Sequence, residues 1–262
     1  MSTQSGTILV VGATGSIGTL VTAEAASRGY RVRALARPGA DTSAFGDGVE
    51  VVHGDLTDSA TLGDAVDGID AVIFTHGAHQ GSLAEKVDYG GVRNVLTALH
   101  GRPVRIALMT AIGVTKRSEG HDWKRRAERL VRSSELPYTI VRPGWFDYNQ
   151  PDEQRILMLQ GDRRWASDPS DGVISRQQIA EVLVTALATP PAQHKTLELV
   201  AEQGAAPSDL APLFAALETD PATSLDGVHD TNNLPLPQEP SRVHDDLAAL
   251  RRPRWSARTT HG

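Results

Sequence analysis

The sequence predicts an α/β protein built on a doubly wound, mainly parallel sheet, with a small C-terminal subdomain on the substrate side. Segments typical of buried strands alternate with segments of helical periodicity through residue 203. In addition, three glycines spaced i, i+3 and i+6 follow the first apolar run, Ile8–Val11, and open a helix. This strand–turn–helix arrangement is typical of the Rossmann fold, in which a nucleotide lies against the turn.

The periodicity places the strands, in chain order, at Thr7–Val11, Arg31–Ala36, Val49–His53, Ala71–Phe74, Arg105–Thr110 and Tyr138–Arg142. Helices are predicted between them at Ser16–Ser27, Ser59–Val66, Leu83–Leu99 and His121–Ser134. After Arg142 the alternation is looser, with a short strand at Ile156–Leu159, a helix at Arg176–Ala188 and a strand at Thr196–Val200. We therefore expect a nucleotide-binding domain over residues 1–203, with interleaved substrate-side segments at about 144–175.

Residues 204–262 form a C-terminal extension that is predicted to be partly irregular. Pro207–Glu218 and Val243–Leu250 have helical character, whereas Asp220–Pro240 is rich in Pro, Asp, Asn and Gly and is typical of a connector. The chain then continues into a basic Arg-Arg-Pro-Arg-Trp tail. That tail is either a solvated end or a contact with a second subunit in a homodimer.

Composition excludes several classes of function. A hydrophobic content of 40% and a charged content of 22% over 262 residues are ordinary for a globular protein. The net charge of −6 argues against a general nucleic-acid binder. With 0 cysteines there is no disulfide, thiolate metal site or cysteine nucleophile. No apolar run reaches membrane-spanning length and the first residues are short and polar, so we expect a cytoplasmic protein that acts on a small molecule without a nucleic-acid or membrane partner.

The glycine turn over Gly12–Gly18 is the strongest functional signal. A helix N-terminus has unpaired N–H donors and a partial positive charge, and it is therefore a natural site for a pyrophosphate. Gly12 and Gly15 leave the backbone open to phosphate, and Gly18 lets the helix pack closely on the strand. The alternative is a tight strand–helix turn without a ligand.

The end of the second strand distinguishes between the two nicotinamide dinucleotides. An acidic residue at this position would bind a ribose 2′-hydroxyl, whereas an arginine accommodates a 2′-phosphate. Here Arg37 follows the strand and no carboxylate occurs until Asp41. The sequence therefore favours NADP(H) as cofactor, with a solvated surface arginine as the alternative.

Five features together resemble the short-chain dehydrogenase/reductase superfamily. They are the glycine turn, Arg37, and the segments Gly54–Asp58, Val87–Leu96 and Tyr138–Gly144. The resemblance is closest to the atypical branch, which includes NmrA-like regulators and small flavin or quinone reductases. It extends over the NAD(P)-binding Rossmann domain and does not include the C-terminal extension.

The resemblance implies a set of cofactor contacts at the carboxyl ends of the strands. The pyrophosphate would be held by Gly12, Thr14, Gly15, Ser16 and Ile17, and the adenine would meet Asp55 and Leu56. The adenosine ribose and the approach to the nicotinamide would be lined by Thr75, His76 and Gly77, and the carboxamide would lie near Pro143 and Gly144. Two histidines, His76 and His79, lack a carboxylate at ligand spacing, so no metal site is expected.

The resemblance also implies a catalytic set, a Ser or Thr on the fifth strand and Tyr-x-x-x-Lys on the next helix. Thr110 supplies the hydroxyl and Lys124 the lysine, which would also touch the cofactor, but Gly120 occupies the tyrosine position. The alternative for Lys124 is an i,i+4 ion pair with Glu128.

Another group would then have to transfer the proton. Histidine is the residue type most often used to transfer protons, and His121, with Asp122, adjoins Gly120; the alternative is that this pair caps the helix. Asp147 and Tyr148 offer a further choice. Apolar walls for a substrate pocket are predicted at Trp145, Phe146 and Tyr148.

Three functions remain open at this point. The first is an NADPH-dependent oxidoreductase acting on a small apolar carbonyl, enone, quinone or flavin compound. The second is a non-catalytic NADP(H)-sensing regulator of NmrA type. The third is an isomerase, epimerase or dehydratase on the same fold.

Overall fold

The computed structural model describes residues 6–251 and confirms the doubly wound α/β fold class. The strands are β1 Thr7–Val11, β2 Arg31–Ala36, β3 Val49–His53, β4 Ala71–Phe74, β5 Arg105–Met109, β6 Tyr138–Pro143, β7 Trp145–Phe146, β8 Arg155–Leu159, β9 Val173–Ile174 and β10 Lys195–Glu202. The α-helices are α1 Ser16–Ser27, α2 Gly63–Val66, α3 Gly90–Leu99, α4 Glu119–Ser133, α5 Arg176–Ala188, α6 Ala211–Ala216 and α7 Ser241–Leu250.

The sheet runs in the order β3-β2-β1-β4-β5-β6-β10-β9-β7, and β8 pairs with β10. The seven strands from β3 to β10 are parallel, whereas β8 and β9 are antiparallel to β10. The strand order reverses between β1 and β4, and in open α/β sheets ligands bind at such a switch point. The loops after these two strands, Gly12–Gly15 and Thr75–Gly77, therefore lie at the expected binding crevice.

Apolar layers cover both faces of the sheet. One layer contains α1 and α5, with Val21 and Leu183 fully buried, and the other contains α3, α4 and α7. The strands between them are buried on both sides, which explains why β1 and β4 are continuous apolar runs in the sequence.

Two predicted helices are interrupted. The Leu83–Leu99 helix consists of a 3₁₀ turn at Gly81–Leu83, a π-helical segment at Glu85–Tyr89 and α3. The Gly90-Gly91 pair has poor helix propensity, and at position 91 a Cβ would lie 2.7 Å from the Leu56 side chain. The Ser59–Val66 helix is likewise divided into a 3₁₀ turn at Ser59–Thr61 and α2.

The C-terminal extension packs over α4. Its helices α6 and α7 are joined by an irregular segment with one 3₁₀ turn, Leu236–Gln238, and the predicted helix at Pro207–Glu218 shortens to α6. Apart from Arg251, the basic tail lies outside the described residues, as do the first five residues of the polar N-terminus. Between residues 6 and 251 no helix has the length and apolar character needed to span a bilayer.

Candidate functional site

The glycine turn is too tight for side chains at two of its positions. Gly12 has a φ of +83°, and a Cβ there would lie 2.6 Å from the His76 amide nitrogen. A Cβ at Gly18 would lie 2.0 Å from the Gly12 carbonyl oxygen. The Gly15 amide donates to the same carbonyl at 2.9 Å. Close packing between the turn, β4 and α1 therefore requires glycine at both positions.

The first turn of α1 fits a phosphate group. Its N-cap, Gly15, has no side chain to accept hydrogen bonds from the first helical amides, and the first turn contains no acidic residue. These amides are therefore left to an external acceptor, which is what a pyrophosphate supplies. The residues present at the turn thus fit a dinucleotide.

The loops after β2 and β3 hold the residues predicted to meet the adenosine part of the cofactor. Arg37 is exposed directly after β2. The Asp55 carboxylate accepts from the backbone amide and hydroxyl of Thr57, both at 2.8 Å, and these bonds lower the pKa of Asp55, with smaller contributions from Lys86 and Arg37. Asp55 thus shapes its own loop in an ionised form.

The loop after β4 brings Thr75, His76 and Gly77 against the glycine turn. The Thr75 hydroxyl donates to the Val11 carbonyl at 3.0 Å, so its side chain ties β4 to β1. Both ring nitrogens of His76 are inaccessible to solvent and have no hydrogen-bond partner in the protein. Burial lowers the pKa of His76 to about 4, against the opposing effect of Asp88. His76 is therefore neutral at neutral pH.

Lys124 reaches this loop from α4. Its Nζ donates to Asp88 Oδ1 at 2.5 Å, and a Cβ at Gly77 would lie 3.6 Å from Nζ. The alternative ion pair between Lys124 and Glu128 is wrong, because the Glu128 side chain is fully buried and faces other partners. The structure thus brings Lys124 to the predicted cofactor loop.

Thr110 has a different environment from the one that its predicted role requires. Its hydroxyl donates to Glu128 Oε1 at 2.7 Å in the interior. Burial would raise the pKa of Glu128, but the guanidinium groups of Arg142 and Arg132 hold it below its usual range. The single proton of Thr110 is thereby committed to a buried carboxylate rather than to a bound compound.

The N-terminus of α4 holds Gly120 and His121. The N-cap is Ser118, whose hydroxyl accepts from the His121 amide at 3.2 Å, so the helix begins before the predicted His121-Asp122 cap, and that alternative is wrong. Asp122 instead forms an ion pair with Arg117. The His121 ring lies with Nδ1 3.1 Å from the Lys116 carbonyl oxygen, and donation from Nδ1 to this carbonyl leaves Nε2 for another partner.

His121 lines a cavity of about 470 Å³. Most of its walls are apolar or aromatic, and its lining residues are Ala111, Ile112, Gly113, His121, Pro143, Gly144, Trp145, Phe146, Trp165, Ser167 and Asp171. Four predicted residues, Pro143, Gly144, Trp145 and Phe146, therefore meet here. Tyr148 does not line the cavity as predicted, because it is 58% exposed and packs edge-on against Trp145 outside it. No residue between 204 and 251 lines this cavity.

Two residues at the site were missed by sequence reasoning. Asp88, the partner of Lys124, lies within a quoted motif, but only the fold shows that it faces α4. Arg176 begins α5 and its Nε donates to the Ser16 hydroxyl at 3.2 Å. It is distant from the glycine turn in the sequence, so no local signal marked it. Over residues 6–251 no group of three side chains has the arrangement of a metal site.

Comparison with known proteins agrees with this geometry. A family model described as NAD(P)H-binding matches residues 12–190. Sanguinarine reductase from Eschscholzia californica is 26% identical, covering 83% of this chain and 98% of that protein. An uncharacterized chloroplastic protein of Arabidopsis thaliana is 30% identical over 80% of this chain and 82% of its own length. A short-chain dehydrogenase/reductase from Veillonella parvula, solved with NADP, matches this chain with a TM-score of 0.59 at 19% identity. The match covers 78% of this chain and 99% of that chain, and it supports the fold alone.

The fold and the glycine turn define a protein that binds a nicotinamide dinucleotide. The chain belongs to the NAD(P)H-binding family whose model matches residues 12–190, and the resemblance to the atypical short-chain dehydrogenase/reductase branch is confirmed.

Proposed function

We propose that the protein is an NADPH-dependent oxidoreductase that reduces a small apolar compound, of the carbonyl, enone, quinone or flavin type, in the cavity beside β6. The observation that carries this proposal is the position of the aromatic cavity. Its wall includes Pro143 and Gly144, which the resemblance places at the nicotinamide carboxamide. Membership of an NAD(P)H-binding family and the similarity to a reductase support it.

NADP(H) is preferred over NAD(H) because of Arg37. It is the charged residue directly after β2, it is exposed, and the carboxylate nearest along the chain, Asp41, already accepts from the Ser43 amide at 2.9 Å. A guanidinium at this position can form two charge-assisted bonds with a 2′-phosphate.

The cofactor supplies a hydride when it is bound, and the chain's residues orient the acceptor and handle the proton. Trp145, Phe146 and Trp165 provide flat apolar walls suited to a conjugated ring. Asp171 is not free for acid–base work, because its carboxylate accepts from the amides of Ala166 and Ser167, each at 2.7 Å. His121 is therefore the proposed proton donor: with Nδ1–H bonded to the Lys116 carbonyl, the imidazolium form would give its second proton from Nε2 to the reduced compound.

Lys124 is proposed to bind the ribose next to the nicotinamide. Asp88 holds its ammonium beside Gly77, and two of the three N–H donors remain for hydroxyl oxygens. In this arrangement Lys124 orients the cofactor and takes no part in proton transfer.

The direct test is to mix purified protein with NADPH and a panel of quinones, flavins, enones and aldehydes and to follow NADPH absorbance. We expect turnover with at least one planar acceptor. For acceptors that require protonation, we expect His121→Asn to lower kcat about 10²-fold with little change in NADPH affinity. Tight NADPH binding without turnover across the panel would contradict the proposal.

Tight NADPH binding without turnover would support a non-catalytic NADP(H) sensor. The observation favouring a sensor is Gly120, which occupies the position of the family's tyrosine. A Cβ at Gly120 would lie 3.7 Å from the Gly81 Cα. No side chain of the usual kind can act from this position. The test for a sensor is a protein partner whose affinity for this protein changes when NADP(H) binds. Pull-downs with and without NADP(H) would measure that change.

A further inference from the structure

Arg176 lies where the glycine turn meets α5. It is the first residue of α5, directly after Ser175, which forms a capping box with Gln178. Its Nε donates to the hydroxyl of Ser16 at 3.2 Å, and Ser16 is the first residue of α1 after Gly15. A guanidinium thus stands beside the same helix N-terminus whose amides lack an acceptor.

Asp147 and Phe146 hold Arg176 in this position. The Asp147 carboxylate accepts from the Arg176 backbone amide at 2.9 Å and forms an ion pair with its guanidinium. Asp147 has a φ of +59°, a left-handed conformation that is uncommon outside glycine and that Asp tolerates better than most residues. The guanidinium carbon also lies 5.3 Å from the centre of the Phe146 ring. Two neighbouring residues therefore orient the guanidinium, Asp147 through an ion pair and Phe146 through its ring face.

The guanidinium is held but not enclosed. The Arg176 side chain is 35% exposed, whereas Arg142 elsewhere is fully buried among the carboxylates of Glu128, Glu198 and Asp230. Ser16, its partner on the turn, is exposed as well. Ser16 takes the Nε donor and Asp147 pairs with Nη1, so Nη2 is the guanidinium nitrogen left to a ligand that lies along the turn.

The turn itself supplies no full positive charge. Residues 12–18 contain no Lys or Arg, so the helix N-terminus provides only about half an elementary charge toward a group that carries two negative charges. An arginine can meet this deficit with two parallel charge-assisted hydrogen bonds.

We propose that Arg176 is a pyrophosphate-binding residue of this protein, positioned by Asp147 and Phe146 opposite the N-terminus of α1. This inference rests on the proposed binding of NADP(H). It also gives the cofactor a physical connection to the substrate cavity, because Phe146 packs against Arg176 and is itself a wall of that cavity.

The test compares two ligands by calorimetry, NADPH and adenosine 2′-phosphate, which lacks a pyrophosphate. For Arg176→Gln we expect NADPH affinity to fall about ten- to a hundredfold, while affinity for adenosine 2′-phosphate is unchanged. Arg176→Lys should recover part of the loss, since a lysine keeps the charge but not the fork. Arg155→Gln is the matched control, because Arg155, on β8, forms an exposed ion pair with Glu202 of β10 and, within the described residues, has no hydrogen bond or ion pair with the glycine turn; this variant should leave both affinities unchanged.

Each result is decisive. If Arg176→Gln binds NADPH within twofold of the wild type, or loses affinity for both ligands equally, Arg176 does not bind the pyrophosphate. If the wild type binds neither NADPH nor NADH, the proposed function fails and this inference fails with it. Retained binding of NADPH by the wild type together with an unaffected Arg176→Gln variant overturns this inference alone.

Discussion

At the scale of single residues, Arg37 carries the choice of cofactor. Replacing Arg37 by Ala removes the only charged group directly after β2, and we expect NADPH affinity to fall about tenfold or more while NADH affinity changes little. Arg31→Ala is a matched control, because Arg31 is also exposed and lies at the opposite end of the same strand. Equal losses for the two dinucleotides, measured by fluorescence titration, would show that Arg37 does not recognise a 2′-phosphate.

Glu198 is a second residue with a measurable effect, which is on the pH dependence of the free energy of unfolding. Burial raises its pKa to about 8, against the lowering effect of Arg142 and with a further raising effect of Asp162. In the unfolded chain the carboxyl ionises near 4.5. Between these two values the folded state holds a proton that the unfolded state has released, so this group makes the free energy of unfolding fall as pH rises, and the effect ends above about pH 8.

Replacing Glu198 by Gln should remove this pH dependence. As pH rises to about 8, we expect the free energy of unfolding of the wild type to fall by on the order of a few kcal/mol through this group. The free energy of unfolding of the variant should fall much less. Urea unfolding at a series of pH values from about 6.5 to 9 measures the difference and avoids the range in which buried His76 titrates. Glu202→Gln, at an exposed position of the same strand, should unfold with the wild-type pH profile.

The residues that sequence reasoning placed correctly are those with a local signal. Gly12 and Gly18 stand at fixed spacing in one turn, and the structure leaves no room for a Cβ at either position. Thr110 had only its position on the fifth strand to identify it. Its actual partner, Glu128, is set by a contact between two elements, and no pattern within one element reveals such a contact.

At the scale of elements, α4 departs most from what its composition suggests. Its sequence carries Arg125, Arg126, Arg129 and Arg132, which would ordinarily mark a solvated face, yet all four are buried. Their partners are carboxylates of the C-terminal extension, principally Asp220, Asp226 and Glu239. The extension had no recognisable motif because its acidic residues are complementary to a helix that is distant in sequence.

This packing makes the extension part of the folded domain's stability. Glu239 has a fully buried side chain and accepts from Arg126 and Arg129, each at 2.6 Å. Glu239→Gln would leave the buried Arg126 without its carboxylate and Arg129 with Asp226 alone, and breaking a buried pair costs about 3–5 kcal/mol. Glu202→Gln disrupts an exposed pair and should cost less than about 1 kcal/mol. Equal midpoints of urea unfolding for the two variants would show that the extension contributes no more than a surface contact.

Element boundaries were predicted well where periodicity was regular and less well where glycine intervened. Strand β1 and helices α1 and α5 have the predicted bounds. The helix expected to begin at Leu83 is π-helical before Gly90, and within α3 a Cβ at Gly91 would lie 2.7 Å from Leu56 and 3.1 Å from His76. The short strands β7 and β9 each have two residues, with Trp145 opposite Val173 and Phe146 opposite Ile174, which is too little sequence to show an alternating pattern.

At the scale of the whole molecule, the cofactor turn and the cavity meet at one edge of the sheet. The loop after β1, the start of α5 and the wall at Phe146 are linked by consecutive contacts through Arg176. If the proposed function holds, a planar acceptor should bind over the nicotinamide, and the cofactor should form one side of its site.

Ligand-dependent thermal stability tests this linkage. A ligand that binds only the folded state, at a concentration of a hundred times its Kd, stabilises that state by about 2.7 kcal/mol. NADP⁺ should therefore raise Tm. A quinone that the protein reduces with NADPH should raise Tm further when NADP⁺ is present, because the oxidised cofactor completes the site without allowing turnover. The same quinone should raise Tm little when NADP⁺ is absent. Trp145→Ala should remove the quinone shift and keep the NADP⁺ shift, since Trp145 lines the cavity. Tyr148→Ala should keep both, because its ring packs outside that cavity. A quinone shift that is the same with and without NADP⁺ would place the acceptor at a site independent of the glycine turn, and the cavity beside β6 would then no longer be the place of reduction.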